Sequence, residues 1–350
     1  MQSHFFHSIR SVHTGFSWLY KFFLFLFILM INGCGAPHSP PTKASLIVFG
    51  TTVDITIYNA DRKTAEAAIE QVEQTFQIMH HEWHAWEKGG IVSKINQAIA
   101  NQQAITIPQS VADFIVKSQR LSQQSMGLFD PGIGSLVELW GFHSEKWQGP
   151  PPSDEAIRAW LSHKPSIANL SIQGNQLISS NRYVQLDFGG NAKGLAIDIA
   201  LQTLQDDGIK NALVSIGGDM KAMGSKDHQA WSIGIQNPQN PNQAIAQIAL
   251  SGGESIVTSG NYQRYFEWQG KRYSHILDPN TGYPANTFSS VTVIHADATT
   301  ADSAATAILV AGPEHWLEVA KSMGITQAFC VDNQGKILQT KEMAKRVKLL

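Results

Sequence analysis

Tyr262-Gln263-Arg264-Tyr265-Phe266-Glu267-Trp268-Gln269-Gly270-Lys271-Arg272-Tyr273-Ser274-His275-Ile276 is the stretch that decides the fold class. Two β-prone runs, Tyr262 to Trp268 and Lys271 to Ile276, flank a Gln269-Gly270 turn, which reads as an antiparallel hairpin. Further strand candidates are Val53 to Tyr58, Tyr183 to Phe188, Ala212 to Ile216, Trp231 to Ile235 and Val291 to His295. Helical patterning runs from Thr64 to Met79, with Ala68, Ile69, Val72, Phe76 and Met79 at three-and-four spacing. Val111 to Ser125 and Ala192 to Gln205, the latter closed by Gly208, are predicted helices too. Hairpin-joined strands mixed with helices predict an α+β fold of mixed, largely antiparallel sheets, not a repeating βαβ array. After Leu46 no Ser/Pro linker divides the chain and no fixed-period repeat is visible. One large domain spanning residues 46–345 is expected.

Composition narrows the function classes. The 350 residues are 43% apolar and 15% charged, which is globular rather than disordered. A formal charge of −2 provides no broad basic field for a polyanion, so nucleic acid is not an expected partner. With only Cys34 and Cys330, neither a disulfide framework nor a cysteine zinc site can be assembled. Cys330 lies in an apolar strand-like run and is expected to be a small core residue.

The first 33 residues carry Arg10 and Lys21 and no acid, and Phe22 to Ile31 is an unbroken apolar run. Ten residues rise about 15 Å as a helix, half of a hydrocarbon core, so the pattern fits a cleaved signal better than a membrane span. Ile31-Asn32-Gly33-Cys34 follows directly and resembles a bacterial lipobox, in which the cysteine is acylated and becomes the new N-terminus. Residues 34–45, with Pro37, Pro40 and Pro41, suit an extended tether. Cleavage after Gly33 moves the formal balance from −2 to −4. The expected location is the periplasmic side of a bacterial membrane, held by lipid on Cys34.

Three runs carry candidate chemistry. Leu186-Asp187-Phe188-Gly189-Gly190-Asn191-Ala192-Lys193-Gly194 joins a strand candidate to a helix candidate. Its glycines let backbone amides approach a phosphate, and the helix start favours negative charge. The spacing is neither a P-loop nor a dinucleotide fingerprint. A tight structural turn is the competing reading. Asp302 and Thr306, at i and i+4 of a helix read from Ala301 to Val310 and ended by Gly312, put two hard oxygens on one face. That suits Mg²⁺ completed by substrate phosphate and water, whereas a first-turn Asp answering the helix dipole is the plainer alternative. His275 and Asp278 arrive at a strand end before Asp278-Pro279-Asn280-Thr281-Gly282, a strong turn signal, where His could move a proton. Two further signals are discounted. His80-His81-Glu82-Trp83-His84 lacks the zinc-protease spacing, and Gly217-Gly218-Asp219 reads as a structural turn.

Together these runs resemble the FAD:protein FMN transferases, the ApbE-type flavin transferases. The likeness starts at Phe49-Gly50-Thr51 and passes through Ser93-Lys94-Ile95-Asn96. It continues through Leu128-Phe129-Asp130-Pro131, Leu139-Trp140-Gly141-Phe142 and the Asp187 to Gly194 run. Ile216 to Asp219, Thr258-Ser259-Gly260-Asn261-Tyr262, the His275 to Pro284 run and Ala301 to Thr306 complete it. Phe49 stands where the family usually has Met, and Asn191 where an aliphatic residue is common.

The resemblance implies a T-fold-like catalytic domain and a Mg²⁺-dependent reaction. FAD, as substrate, is split at its pyrophosphate, FMN is esterified to a Ser or Thr of an acceptor protein, and AMP leaves. It implies Mg²⁺ on Asp302, Thr306 and the Gly190 carbonyl, and His275 or Asp278 as base. Phe49, Trp86, Leu128, Phe129, Asp130, Asp187, Lys193 and Ile276 are implied to hold FAD. Respiratory or secreted flavoprotein subunits are the implied acceptors. A Mg²⁺-dependent FAD pyrophosphatase and a non-catalytic flavin-binding lipoprotein remain the rival readings.

Overall fold

A computed structural model describes residues 40–350 except 145 and 147. The signal, Cys34 and most of the tether lie outside the described residues. The chain begins with β1 (Thr42–Val48) and β2 (Thr51–Ile57), then α1 (Arg62–Glu82), α2 (Ile91–Ala100), β3 (Ile105–Thr106) and α3 (Gln109–Gln124). Next come α4 (Gly134–Leu139), α5 (Asp154–His163), β4 (Leu170–Gln173), β5 (Gln176–Ser179) and α6 (Ala192–Asp206). Six strands follow: β6 (Ala212–Ile216), β7 (Asp219–Met223), β8 (Trp231–Asn237), β9 (Asn240–Leu250), β10 (Ser255–Gly260) and β11 (Tyr265–Trp268). The last third holds β12 (Lys271–Ser274), β13 (Phe288–His295), α7 (Ala298–Ser322), β14 (Gln327–Asp332), β15 (Ile337–Gln339), α8 (Lys341–Ala344) and β16 (Lys348–Leu349).

Eight strands form one antiparallel sheet in the order β1-β2-β6-β7-β10-β13-β14-β15. The α+β expectation holds, and the hairpin read at Gln269-Gly270 is β11–β12. Helices α1, α6 and α7 cover one face of the main sheet. Ile55, Val214 and Phe76 pack there with Ile197, while Val291 and Val293 meet Ala304 and Ile308. The opposite face is closed by β8 and β9, where Trp231 and Ile248 meet Ile294 and Phe329. Because β13 is covered on both faces, its residues Val291, Thr292, Val293 and Ile294 are all buried. Cover on both faces removes the alternation of buried and exposed residues that a half-covered strand would show. Cys330 sits in the same core, and burial pushes its thiol pKa up, which leaves it inert.

Two boundaries differ from the sequence reading. Strand β1 starts at Thr42, inside the stretch assigned to the tether, and β16 lies beyond residue 345 against β9. Tyr183 to Phe188 is not a strand of any sheet. Val184, Leu186 and Phe188 alternate inward as expected, yet the backbone partners are irregular. The Asn96 side chain donates to the Leu186 carbonyl at 2.9 Å and accepts from its N–H at 2.7 Å. On the other side, Asp187 N–H donates to the Pro131 carbonyl and Gly134 N–H to that of Gln185. One carboxamide thus replaces a neighbouring strand, something periodicity alone does not reveal.

Candidate active site

The site is built where α6 and α7 begin. A Cβ on Gly194 would lie 2.4 Å from the Ala298 carbonyl oxygen, so only glycine allows the two helices to touch here. The Gly194 N–H donates to Oδ2 of Asp302 at 3.0 Å, joining the glycine-rich turn to the first turns of α7. Gly190 is carried to the same place: a Cβ on it would meet the Phe129 ring at 3.3 Å and Thr306 Oγ1 at 3.9 Å. Thr306 Oγ1 is 3.1 Å from Ser259 Oγ at the end of β10. Gly190 is thus brought beside Thr306, with Asp302 one turn earlier on α7.

Lys193 projects from the first turn of α6 to Asp219 at the start of β7, with its Nζ also 3.8 Å from Oδ1 of Asp302. Burial alone would lower the lysine pKa, but the two carboxylates outweigh it and hold the ammonium above its usual range. Asp302 is buried, and that burial raises its pKa against the pull of Lys193, with Asp219 adding like-charge repulsion. Two buried carboxylates thus share one cation. Asp219 also accepts the Thr258 N–H at 2.9 Å, which anchors it between β7 and β10. No cluster of three or more His, Cys, Asp or Glu side chains suited to a metal occurs among the described residues. The oxygens here are instead carboxylates and hydroxyls, a hard-oxygen set of the kind Mg²⁺ accepts when substrate and water complete its shell. The residues fit that ion, because a buried carboxylate with half a share of a lysine gains from a divalent cation.

His275 follows β12 directly. Its Nδ1 lies 3.0 Å from the Arg264 carbonyl oxygen. A carbonyl only accepts, so Nδ1 carries the proton and Nε2 holds the lone pair. Desolvation, with the Arg264 and Lys193 cations, lowers the imidazole pKa to about 4. A neutral ring with a free Nε2 at neutral pH is the form a general base needs. Asp278 is differently engaged. Its carboxylate accepts from Asn280 N–H at 2.8 Å and the Thr281 hydroxyl at 3.0 Å, closing its own turn.

The remaining predicted residues divide into a rim and a floor. Trp86 Nε1 donates to Oδ2 of Asp187 at 3.1 Å, and its ring is 5.2 Å from that of His143. Asp187 Oδ1 accepts the Gly189 N–H, and Asp187 favours the charge on Arg264 electrostatically. Phe129 and Ile276 are buried, with Leu128 packed beside Phe129 against the same core. Asp130 is also buried. Burial raises its pKa, while the Ser166 hydroxyl and the N–H groups of Ile167 and Gly132 hold its carboxylate in a loop lock. Phe49 lies apart in the β1–β2 turn, against Phe76 and His80. Phe49 and Gly50 both have positive φ (56° and 68°), the primed hairpin turn that a non-glycine residue adopts only under strain.

Sequence reasoning missed Asp219, Ser259 and Arg264. Asp219 was set aside as a turn former, although a carboxylate placed just after Gly-Gly at a strand start was the available signal. The discounted His80 to His84 run closes turns: Glu82 accepts Ile91 N–H at 2.9 Å, and His84 Nδ1 accepts Glu87 N–H at 3.0 Å.

Residues 49–330 match the family model described as the ApbE family. This chain belongs to that family. It is 35% identical over 309 residues to an FAD:protein FMN transferase of Rhodobacter capsulatus, a match covering 88% of this chain and 59% of that protein. The chain therefore spans a little over half the length of that relative. A second relative of the same name, from Vibrio cholerae, is 32% identical over 84% of this chain and 88% of its own. Among solved structures, the ApbE protein of Thermotoga maritima superposes with a TM-score of 0.81 at 30% identity, covering 87% of this chain and 99% of its own. The apo flavinyl transferase ApbE of Pseudomonas stutzeri gives 0.78 at 31% identity, with coverages of 88% and 97%. The range matched by the family model, residues 49–330, spans the positions of Lys193, Asp219 and Asp302.

Proposed function

We propose that this ApbE-family chain is an FAD:protein FMN transferase, an enzyme that moves FMN from FAD to a hydroxyl of an acceptor protein. The observation that carries the proposal is the junction of α6 and α7, where Lys193 meets two buried carboxylates, with Gly190 packed beside Thr306. Asp302, Thr306 and the Gly190 carbonyl would hold Mg²⁺, which supplies neutralisation of charge on a pyrophosphate when bound. Lys193 and the amides of the glycine-rich turn stabilise the departing phosphate. His275 Nε2 takes the proton from the acceptor Ser or Thr. The hydroxyl oxygen then bonds to the FMN phosphorus, and the bridging P–O bond to the AMP phosphate breaks. AMP leaves with that bridging oxygen. Trp86 and Asp187 form one edge of the flavin-nucleotide site, with Phe129, Leu128 and Ile276 beneath it. Asp130 supports that site by fixing the loop, whereas Phe49, packed against Phe76 and His80, takes no part in it.

The reaction is tested by incubating the purified protein with FAD, Mg²⁺ and a flavoprotein-subunit acceptor. Covalent fluorescent flavin on the acceptor supports transfer. AMP and FMN without labelling would assign a pyrophosphatase instead, and FAD recovered intact would leave a flavin carrier. The same proposal places the mature chain on the periplasmic side of a bacterial membrane, anchored through acylated Cys34. Palmitate labelling that persists in Cys34→Ala would remove the anchor.

A further inference from the structure

A groove of about 580 Å³ opens beside the hairpin that delivers His275. Among the described residues, strand β12 has a single partner, β11, in a two-stranded sheet. His275 N–H donates to the Arg264 carbonyl across that hairpin. Antiparallel pairing alternates, so the main-chain groups of Arg272 and Ser274 point to the opposite, outer edge. A neighbour does run along that edge further on: Asp278 N–H donates to the Tyr283 carbonyl and Ala285 N–H to that of Ile276. Past Ala285 this neighbour departs toward β13, and the groove opens where it leaves. Arg272, Ser274 and Asn286 all line it.

The rest of the lining is rich in carboxamides. Gln239, Asn261 and Asn333 join Asn286, and no carboxylate is among the lining residues described. Each carboxamide offers a donor and an acceptor together, the pattern a peptide bond presents. The one cation, Arg272, already faces Glu267 at 3.3 Å and stacks 3.9 Å from the Tyr265 ring, so a phosphate finds little free charge. Tyr262 connects the groove with the catalytic cluster. Its ring packs on Gly260, next to Ser259, and its hydroxyl donates to Gln236 Oε1 at 2.8 Å.

We infer that this groove docks the acceptor polypeptide, which adds as an extended strand to the outer edge of β12 and leads its Ser or Thr to His275. The inference rests on the transferase reading above. At about 3.3 Å per residue, a segment hydrogen-bonded beside the exposed Arg272 reaches the imidazole within about three further residues. Main-chain pairing gives affinity, and the carboxamides accept varied sequences.

The test uses Asn333→Trp and Asn286→Trp, two exposed positions whose new rings fill the groove without touching the catalytic cluster. The probe is a protein that the Vibrio cholerae relative labels with FMN. We expect the KM for that protein to rise by about tenfold or more, with saturating kcat and FAD affinity unchanged. If the wild-type chain labels the probe and both variants keep its KM within about twofold, the groove is not the docking site. Loss of FAD affinity in the variants would assign the groove to the nucleotide and overturn the inference. A wild-type chain that labels no protein removes the transferase reading itself. Should the bulky variants misfold, a photoreactive benzophenone side chain at position 333 decides the matter. Adducts with the probe support the groove, and light-induced adducts absent from position 333 refute it.

Discussion

The N–H of Gly194 donates to Oδ2 of Asp302 at 3.0 Å, so the backbone of one helix positions a carboxylate of the next. A Cβ at 194 would strike the Ala298 carbonyl at 2.4 Å and the Thr299 Cα at 2.7 Å. Gly194→Ala is therefore expected to push α6 from α7, at a cost of about 1–3 kcal/mol in stability. FMN transfer should fall far more than stability does, because Lys193 and Gly190 move with the helix. A variant with normal activity and a lowered melting temperature would limit Gly194 to packing.

Lys193 is expected to stabilise the fold as well as the chemistry. Lys193→Met leaves Asp219 and Asp302 buried together without a cation. Removing one partner of a buried pair costs about 3–5 kcal/mol, and a lysine open to solvent over a third of its side chain belongs at or below the lower end. Adding Asp219→Asn removes the repulsion and should restore part of the loss, a coupling that a double-mutant cycle reads directly. Additive losses would show that the three groups do not act together.

His275 should stay neutral well below its ordinary midpoint. Burial, then Arg264, then Lys193 lower its pKa to about 4. NMR titration of the imidazole should show one neutral tautomer, protonated at Nδ1, from neutral pH down to about 5. A depressed histidine takes up its proton more readily unfolded, so its linked contribution to stability falls as pH drops from 6.5 toward 4. Arg264→Gln should raise the midpoint by removing one of the two cations. An unchanged midpoint would mean that the Arg264 charge does not contribute to it.

Much of this arrangement was legible before the structure. The hairpin at Gln269-Gly270 announced antiparallel pairing, and the i, i+4 spacing of Asp302 and Thr306 put both oxygens on one face. Gly312 did end a helix, at φ 68°, though Pro313 starts another immediately. What stayed hidden were contacts between segments distant in sequence. Asp219 looks like a turn residue until Lys193, 26 positions earlier, reaches it from a helix. Asp278 looked as available as His275, since sequence does not show that its carboxylate closes its own loop. Tyr183 to Phe188 has a strand's alternation, but its main-chain partners are a short parallel bridge at Ile133 on one side and the Asn96 side chain on the other.

That last segment yields the final prediction. The Asn96 side chain is bonded to both main-chain groups of Leu186, one residue before Asp187 and four before Gly190. Asn96→Leu keeps the approximate volume and removes both partners from a buried backbone. Each orphaned group costs about 1–3 kcal/mol, so the protein should lose several kcal/mol or relax the 186–190 segment. Relaxation would release Asp187 from Trp86 Nε1, which reports it. Trp86 fluorescence should then shift together with weakened FAD binding. Asn96→Asp is the informative control, because it keeps the acceptor for Leu186 N–H and loses only the donor to its carbonyl. An intermediate effect for Asp supports Asn96 as a substitute for a missing strand. Equal effects for Leu and Asp would instead make the side chain's packing, and not its hydrogen bonds, responsible.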